Sequence, residues 1–116
     1  MTITRLQPGK RMSQAVKHGN TVYLAGQVAN DPNGTIEQQT REVLAAIDKL
    51  LAEAGTSKSK VLSCQVILNN IGDFAAMNSV YDTWIDTANP PARACIEARL
   101  AAPALKVEII AVAALD

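Results

Sequence analysis

Residues 106–114, KVEIIAVAA, constrain the fold more than any other segment, because they form a strand that is apolar on both faces. Successive side chains on a strand point to opposite sides of the sheet, so both layers beside this run ask for cover. The chain offers two amphipathic helices, and two helices cover only one face. Ile110 and Val112, or their neighbours Ile109 and Ala111, would then face water in a monomer. A homo-oligomer is implied. At 116 residues, subunit association is also a common way to raise the buried fraction of surface.

The first helix is defined by its ends and its stripe. Asp31-Pro32-Asn33-Gly34 is a turn, Thr35 and Gln38 make a capping-box pattern, and Gly55 stands where a left-handed C-terminal cap is wanted. Val43, Leu44, Ile47, Leu50, Leu51 and Ala54 recur at steps of three and four, predicting a helix from Thr35 to about Ala54. Upstream, 13–18 (SQAVKH) and 21–28 (TVYLAGQV) read as strands joined through Gly19-Asn20, a pair suited to a tight hairpin. Residues 60–70, KVLSCQVILNN, read as a strand. Asp73 caps a second helix of about 13 residues whose stripe is Phe74, Met77, Tyr81, Trp84 and Ile85. Asn78 falls inside that stripe, and an amide on a buried face needs a partner. Ala88-Asn89-Pro90-Pro91 then delivers the chain, extended, into strands 92–100 and 106–114. The order β-β-α-β-α-β-β predicts a single α+β domain over 1–116, a mixed sheet with both helices on one face.

Composition narrows the function. Eleven Lys plus Arg balance eleven Asp plus Glu, which removes the electrostatic footprint of non-specific nucleic-acid binding, so DNA is not an expected partner. Two cysteines and one histidine cannot close a zinc site. Four aromatic residues are too few for a platform that stacks single-stranded bases. Neither a signal peptide nor an apolar run near the length of a membrane span is present, so a cytoplasmic protein without membrane contact is expected. A small-molecule pocket remains open.

In the 92–100 strand, alternation places Arg93, Cys95, Glu97 and Arg99 on one face and Ala94, Ile96, Ala98 and Leu100 on the other; the second face is expected to pack and the first to carry chemistry. Arg93 reads either as a surface or ion-pair residue or as a bidentate carboxylate clamp. Cys95 reads as a small buried hydrophobe before a nucleophile, since no base is placed to make it a thiolate. Glu108, flanked by Val107, Ile109 and Ile110, is a structural ion-pair partner or a proton handler. Asn78 either ties its helix to a neighbouring backbone or meets a ligand, and Gly26 marks a bulge or a close approach of ligand to backbone. His18, beside the hairpin turn, reads as inert.

The combination resembles the Rid family, the reactive intermediate deaminases also called the YjgF family, over nearly the whole chain. The matching stretches are 22–27 (VYLAGQ), 39–55 (QTREVLAAIDKLLAEAG), 73–81 (DFAAMNSVY), and 91–97 (PARACIE) followed by Val107-Glu108. The resemblance implies a chorismate-mutase-like, or ferredoxin-like, α+β domain forming homotrimers with clefts between subunits. It implies hydrolysis of enamines and imines such as 2-aminoacrylate and 2-iminopropionate to a 2-keto acid and ammonia, without a cofactor. By the same resemblance Arg93 binds the substrate carboxylate, Glu108 positions or activates water, Cys95 contributes mainly through its backbone, and Asn78 and Gly26 lie at or near the site. Many family members carry a tyrosine before the Ser-Gln-Ala-Val stretch; Met12 stands at that place here. A keto-acid-binding module without turnover uses the same arginine. RNA cleavage, attributed to some relatives, fits the balanced charge and scarce aromatics least.

Overall fold

Gly19 adopts φ 60°, in the left-handed region a tight hairpin uses, and joins β2 (Ala15–His18) to β3 (Thr21–Leu24) in the computed structural model, which describes residues 1–116. Two features of this half depart from the sequence reading. An additional strand, β1 (Ile3–Leu6), pairs antiparallel with β2; three of its four residues are exposed, so it carries no apolar alternation to read. The expected 21–28 strand breaks at Ala25-Gly26, where the Ala25 N–H turns to the Gln14 carbonyl at 2.8 Å, and resumes as β4 (Gln27–Val28). The element order is therefore β-β-β-β-α-β-α-β-β, not β-β-α-β-α-β-β.

Helix α1 (Ile36–Ala54) starts and stops where its end signals say. Thr35 Oγ1 accepts from the Gln38 N–H at 3.1 Å and Gln38 Oε1 accepts from the Thr35 N–H at 2.9 Å, while Gly55 closes the helix at φ 89°. Inside α1, Gln39 is fully buried. Its amide donates to the carbonyls of Pro32, Gly34 and Ala104 and accepts from the Lys106 N–H, tying the helix to the lead-in of the last strand.

Strand β5 (Val61–Leu68) is followed by a 3-10 turn at Ile71–Asp73 and by α2 (Phe74–Trp84), 11 residues long. Asp73 makes no side-chain cap bond; Asn70 caps the preceding turn by accepting from the Gly72 N–H, and Ile85 is already extended. Strand β6 ends early, at Ala92–Glu97, and there the Glu97 carboxylate accepts from the Ile71 N–H at 2.9 Å.

The sheet order is β1-β2-β3-β7-β5-β6, with β7 spanning Val107–Ala114 and β4 also paired to β7. β5 and β6 run parallel and the remaining pairs antiparallel, so the sheet is mixed as expected. Val107, Ile109, Ala111 and Ala113 are fully buried in one core with the stripes of both helices. Glu108, Ile110, Val112 and Ala114 are only half-buried on the face without helices. That assigns the uncovered layer to Ile110 and Val112.

Candidate active site

The register of the parallel pair decides where Arg93 points. Cys64 lies beside Arg93, Val66 beside Cys95 and Leu68 beside Glu97. Since Cys64, Val66 and Leu68 belong to the core, the Arg93 row lies on the helix side of the sheet. The expected assignment of faces is therefore corrected: Ala94 and Ile96 are exposed on the uncovered face, and the arginine row meets α2. The reason is that β6 is an edge strand, whose outer rows lie at the rim of the helix layer and are only partly covered.

On α2, residues 74, 78 and 81 share one face at steps of four and three, and all three engage Arg93. Its Nη1 donates to Asn78 Oδ1 at 2.7 Å. Its Cζ lies 4.7 Å from the Tyr81 ring centroid and 5.8 Å from that of Phe74. Nη1 is the nitrogen on the Cδ side of the guanidinium, so the opposite edge, Nε with Nη2, is left free of protein partners. That edge is the side-on fork that matches a carboxylate. Asn78 thus serves the arginine directly: the amide is half-buried, and its partner is a side chain, not the neighbouring backbone or a ligand that the sequence reading weighed.

Two thiols adjoin this cluster, and neither is activated. Burial pushes the Cys64 thiol up to about 11, with a hydrogen bond from Tyr81 and the nearby Arg93 charge opposing only in part. Burial also raises Cys95, with Arg93 opposing. Tyr81 is pushed up to about 12, chiefly by burial. Thiol, phenol and guanidinium therefore coexist at neutral pH with only the guanidinium charged.

Glu108 lies elsewhere. It pairs with Ile67 of β5 and projects from the uncovered face beside Gly26. A Cβ on Gly26 would collide with Glu108 Oε2 and stand 2.9 Å from its Cδ, so the glycine makes room for this carboxylate. Two strand spacings and three residues of rise separate Glu108 from Arg93, about 14 Å between Cα atoms, and the side chains leave opposite faces. One copy of the chain brings Arg93, Asn78 and Cys95 together, and Gly26 with Glu108, but does not join the two groups.

A shallow hollow of about 420 Å³ runs along the uncovered face beside β6, lined by Ser63, Gln65, Ala92, Ala94, Ile110 and Val112 and reaching Arg93. A larger one, about 510 Å³, lies between α1 and β4 and includes none of the candidate residues. No three His, Cys, Asp or Glu residues are grouped to hold a metal ion. Met12 is half-exposed in the bend before β2, and His18 is exposed. The sequence reading missed Phe74 and Tyr81 as partners of the arginine. Their spacing around Asn78 was the available signal, since one helix face holding two rings and an amide suits a planar cation.

A family model described as Endoribonuclease L-PSP matches residues 2–115. A RutC family protein of Haemophilus influenzae is 48% identical, the alignment covering 97% of this chain and 98% of that one. The RutC family protein YoaB of Escherichia coli is 40% identical over 98% and 99% of the two chains. The crystal structure of a YjgF family member from Neisseria meningitidis superposes with a TM-score of 0.97 at 41% identity, covering 100% of this chain and 97% of that one.

Proposed function

The chain belongs to the endoribonuclease L-PSP family, the YjgF or Rid group, and from that premise we propose that it is a cofactor-independent deaminase of 2-imino and 2-enamino acids, acting as a homotrimer. The observation that carries this reading is the Arg93 guanidinium, committed to Asn78 on one side and open at its Nε–Nη2 fork on the other. Bidentate capture of a planar carboxylate is what that edge suits.

Water does the rest of the chemistry. An imine carbon beside a carboxylate is electrophilic and hydrolyses readily, so a catalyst need only hold the carboxylate, protonate an enamine carbon where the substrate arrives in that form, and direct water at the imine carbon. Addition of water and expulsion of the nitrogen give a 2-keto acid and ammonia. In the trimer, Glu108 of one copy faces Arg93 of the next across the cleft, orients the water and shuttles its proton. Gly26 keeps that carboxylate in place, and the Cys95 backbone supplies a hydrogen bond. The apolar layer of Ile110 and Val112 gives a neighbouring copy something to bury.

The test generates 2-iminopropionate with an amino-acid oxidase and follows pyruvate and ammonia release. Wild type should accelerate release and Arg93→Ala should fall to background, both eluting at the same oligomeric size; undiminished activity in Arg93→Ala would reject the clamp. Capture of keto acids without turnover is favoured by one fact, that a single copy leaves Arg93 without Glu108; tight pyruvate binding with no rate enhancement would select it. The endoribonuclease activity in the family's description is opposed by the zero net charge.

A further inference from the structure

We propose that Tyr81 is the positioning residue of this site, holding the Arg93 guanidinium so that its Nε–Nη2 edge takes the carboxylate side-on; this rests on the carboxylate-binding reading above. Tyr81 is nearly fully buried at 6% exposure, whereas Phe74, the other ring beside Arg93, is 42% exposed and free to turn. The Tyr81 ring is fixed from two further directions. It lies 5.8 Å from the Trp84 ring at 54°, an attractive tilted arrangement, and its hydroxyl lies toward the Cys64 thiol on β5.

Cys64 is the strand neighbour of Arg93, so Tyr81 spans from α2 to both members of one cross-strand pair. The phenol hydroxyl points toward the Cys64 side and makes no hydrogen bond to the guanidinium, which lies over the ring face instead. At 4.7 Å the guanidinium carbon is well inside the roughly 6 Å reach of a cation–π contact, and closer than to Phe74. Asn78 sets the rotation of the guanidinium in its plane through Nη1, and Tyr81 sets the height and tilt of that plane. Without the ring, a long arginine arm on an exposed edge strand would sample many rotamers, and each would misaim the fork.

The experiment compares wild type, Tyr81→Phe and Tyr81→Met, the last filling the space without a ring face. Readouts are kcat and KM on 2-iminopropionate, the pyruvate Kd by calorimetry, and the Arg93 Nε–H resonance by NMR. Tyr81→Met should raise KM and Kd about fivefold with kcat within twofold, the loss expected from one cation–π contact to an exposed guanidinium, and should abolish the ring-current shift of the Arg93 Nε–H. Tyr81→Phe, which keeps the ring, should stay within twofold and retain the shift. Equal losses in kcat and KM, or wild-type affinity in Tyr81→Met, overturns the inference. If Tyr81→Met melts below the assay temperature, the resonance decides: no ring-current displacement in wild type and Tyr81→Phe refutes it. A wild type that binds pyruvate but turns over no imine removes the enzymatic reading alone, while normal turnover with an unmoved KM in Tyr81→Met removes only Tyr81.

Discussion

Gly26→Ala separates a glycine needed for backbone geometry from one needed for space. Gly19 and Gly55 are the glycines at positive φ, so alanine at 26 meets no left-handed penalty and the entire cost comes from its new neighbours. The added carbon would stand 2.9 Å from Glu108 Cδ and 3.2 Å from Cγ, against about 3.5–4.0 Å for relaxed carbon contacts. Overpacking of this kind costs about 1–3 kcal/mol, and the lost flexibility of the unfolded chain returns about 0.4–1 kcal/mol. The net, about 1–2 kcal/mol, should lower Tm by about 5 °C in a chain of this size. If Glu108 instead swings away to relieve the clash, stability is kept and the imine-hydrolysis rate falls to that of Glu108→Ala. A double-mutant cycle identifies the partner: in a Glu108→Ala background the clash is gone, and Gly26→Ala should become neutral or slightly stabilising. An equal cost in both backgrounds, or a Gly26→Ala protein with unchanged Tm and rate, would refute the reasoning.

Gln39→Ala removes one buried side chain that answers three carbonyls and the Lys106 N–H, and should cost about 2–4 kcal/mol in urea unfolding; a loss under 1 kcal/mol would show that water replaces the amide there. Alkaline pH gives a further check. Burial holds the Cys64 thiol at about 11 and Tyr81 at about 12, above their ordinary 9.0 and 10.0, so each stabilises the fold fully below the ordinary value and loses that contribution as pH rises through the raised one. Tm should hold to pH 9 and fall toward pH 12, with the fall beginning later in Cys64→Ala; the same onset in both proteins would count against the thiol.

The parts of the fold visible in the sequence are those governed by local chemistry. Thr35, Gln38 and Gly55 fix both ends of α1 with their own hydrogen bonds, and Gly19 fixes a turn, so no distant residue has a vote. What escaped depends on pairing. β1 is a strand only because β2 lies beside it, and its exposed residues carry no alternation. The break at Ala25-Gly26 turns on the bond of the Ala25 N–H to the Gln14 carbonyl and on Glu108, more than eighty positions away, filling the space beside Gly26, neither of which is written in residues 25–26. The side of the sheet that Arg93 faces follows from the β5–β6 register, which alternation within one strand leaves undetermined. Arg93, Glu108, Gly26, Asn78 and Cys95 were all identifiable as candidates; their division between two faces was not.

That division links stability to chemistry. Arg93 is oriented by α2, so the helix layer that buries Val107, Ile109 and Ala111 also aims the guanidinium. In the proposed reaction the second group, Glu108, comes from another copy, and β7 carries it on the face no helix covers, in the same row as Ile110 and Val112. The apolar residues of that row would be an aggregation hazard in an isolated chain. In the proposed trimer their burial drives the association that carries Glu108 to its neighbour's Arg93, so the surface that destabilises the monomer is the one that completes the site.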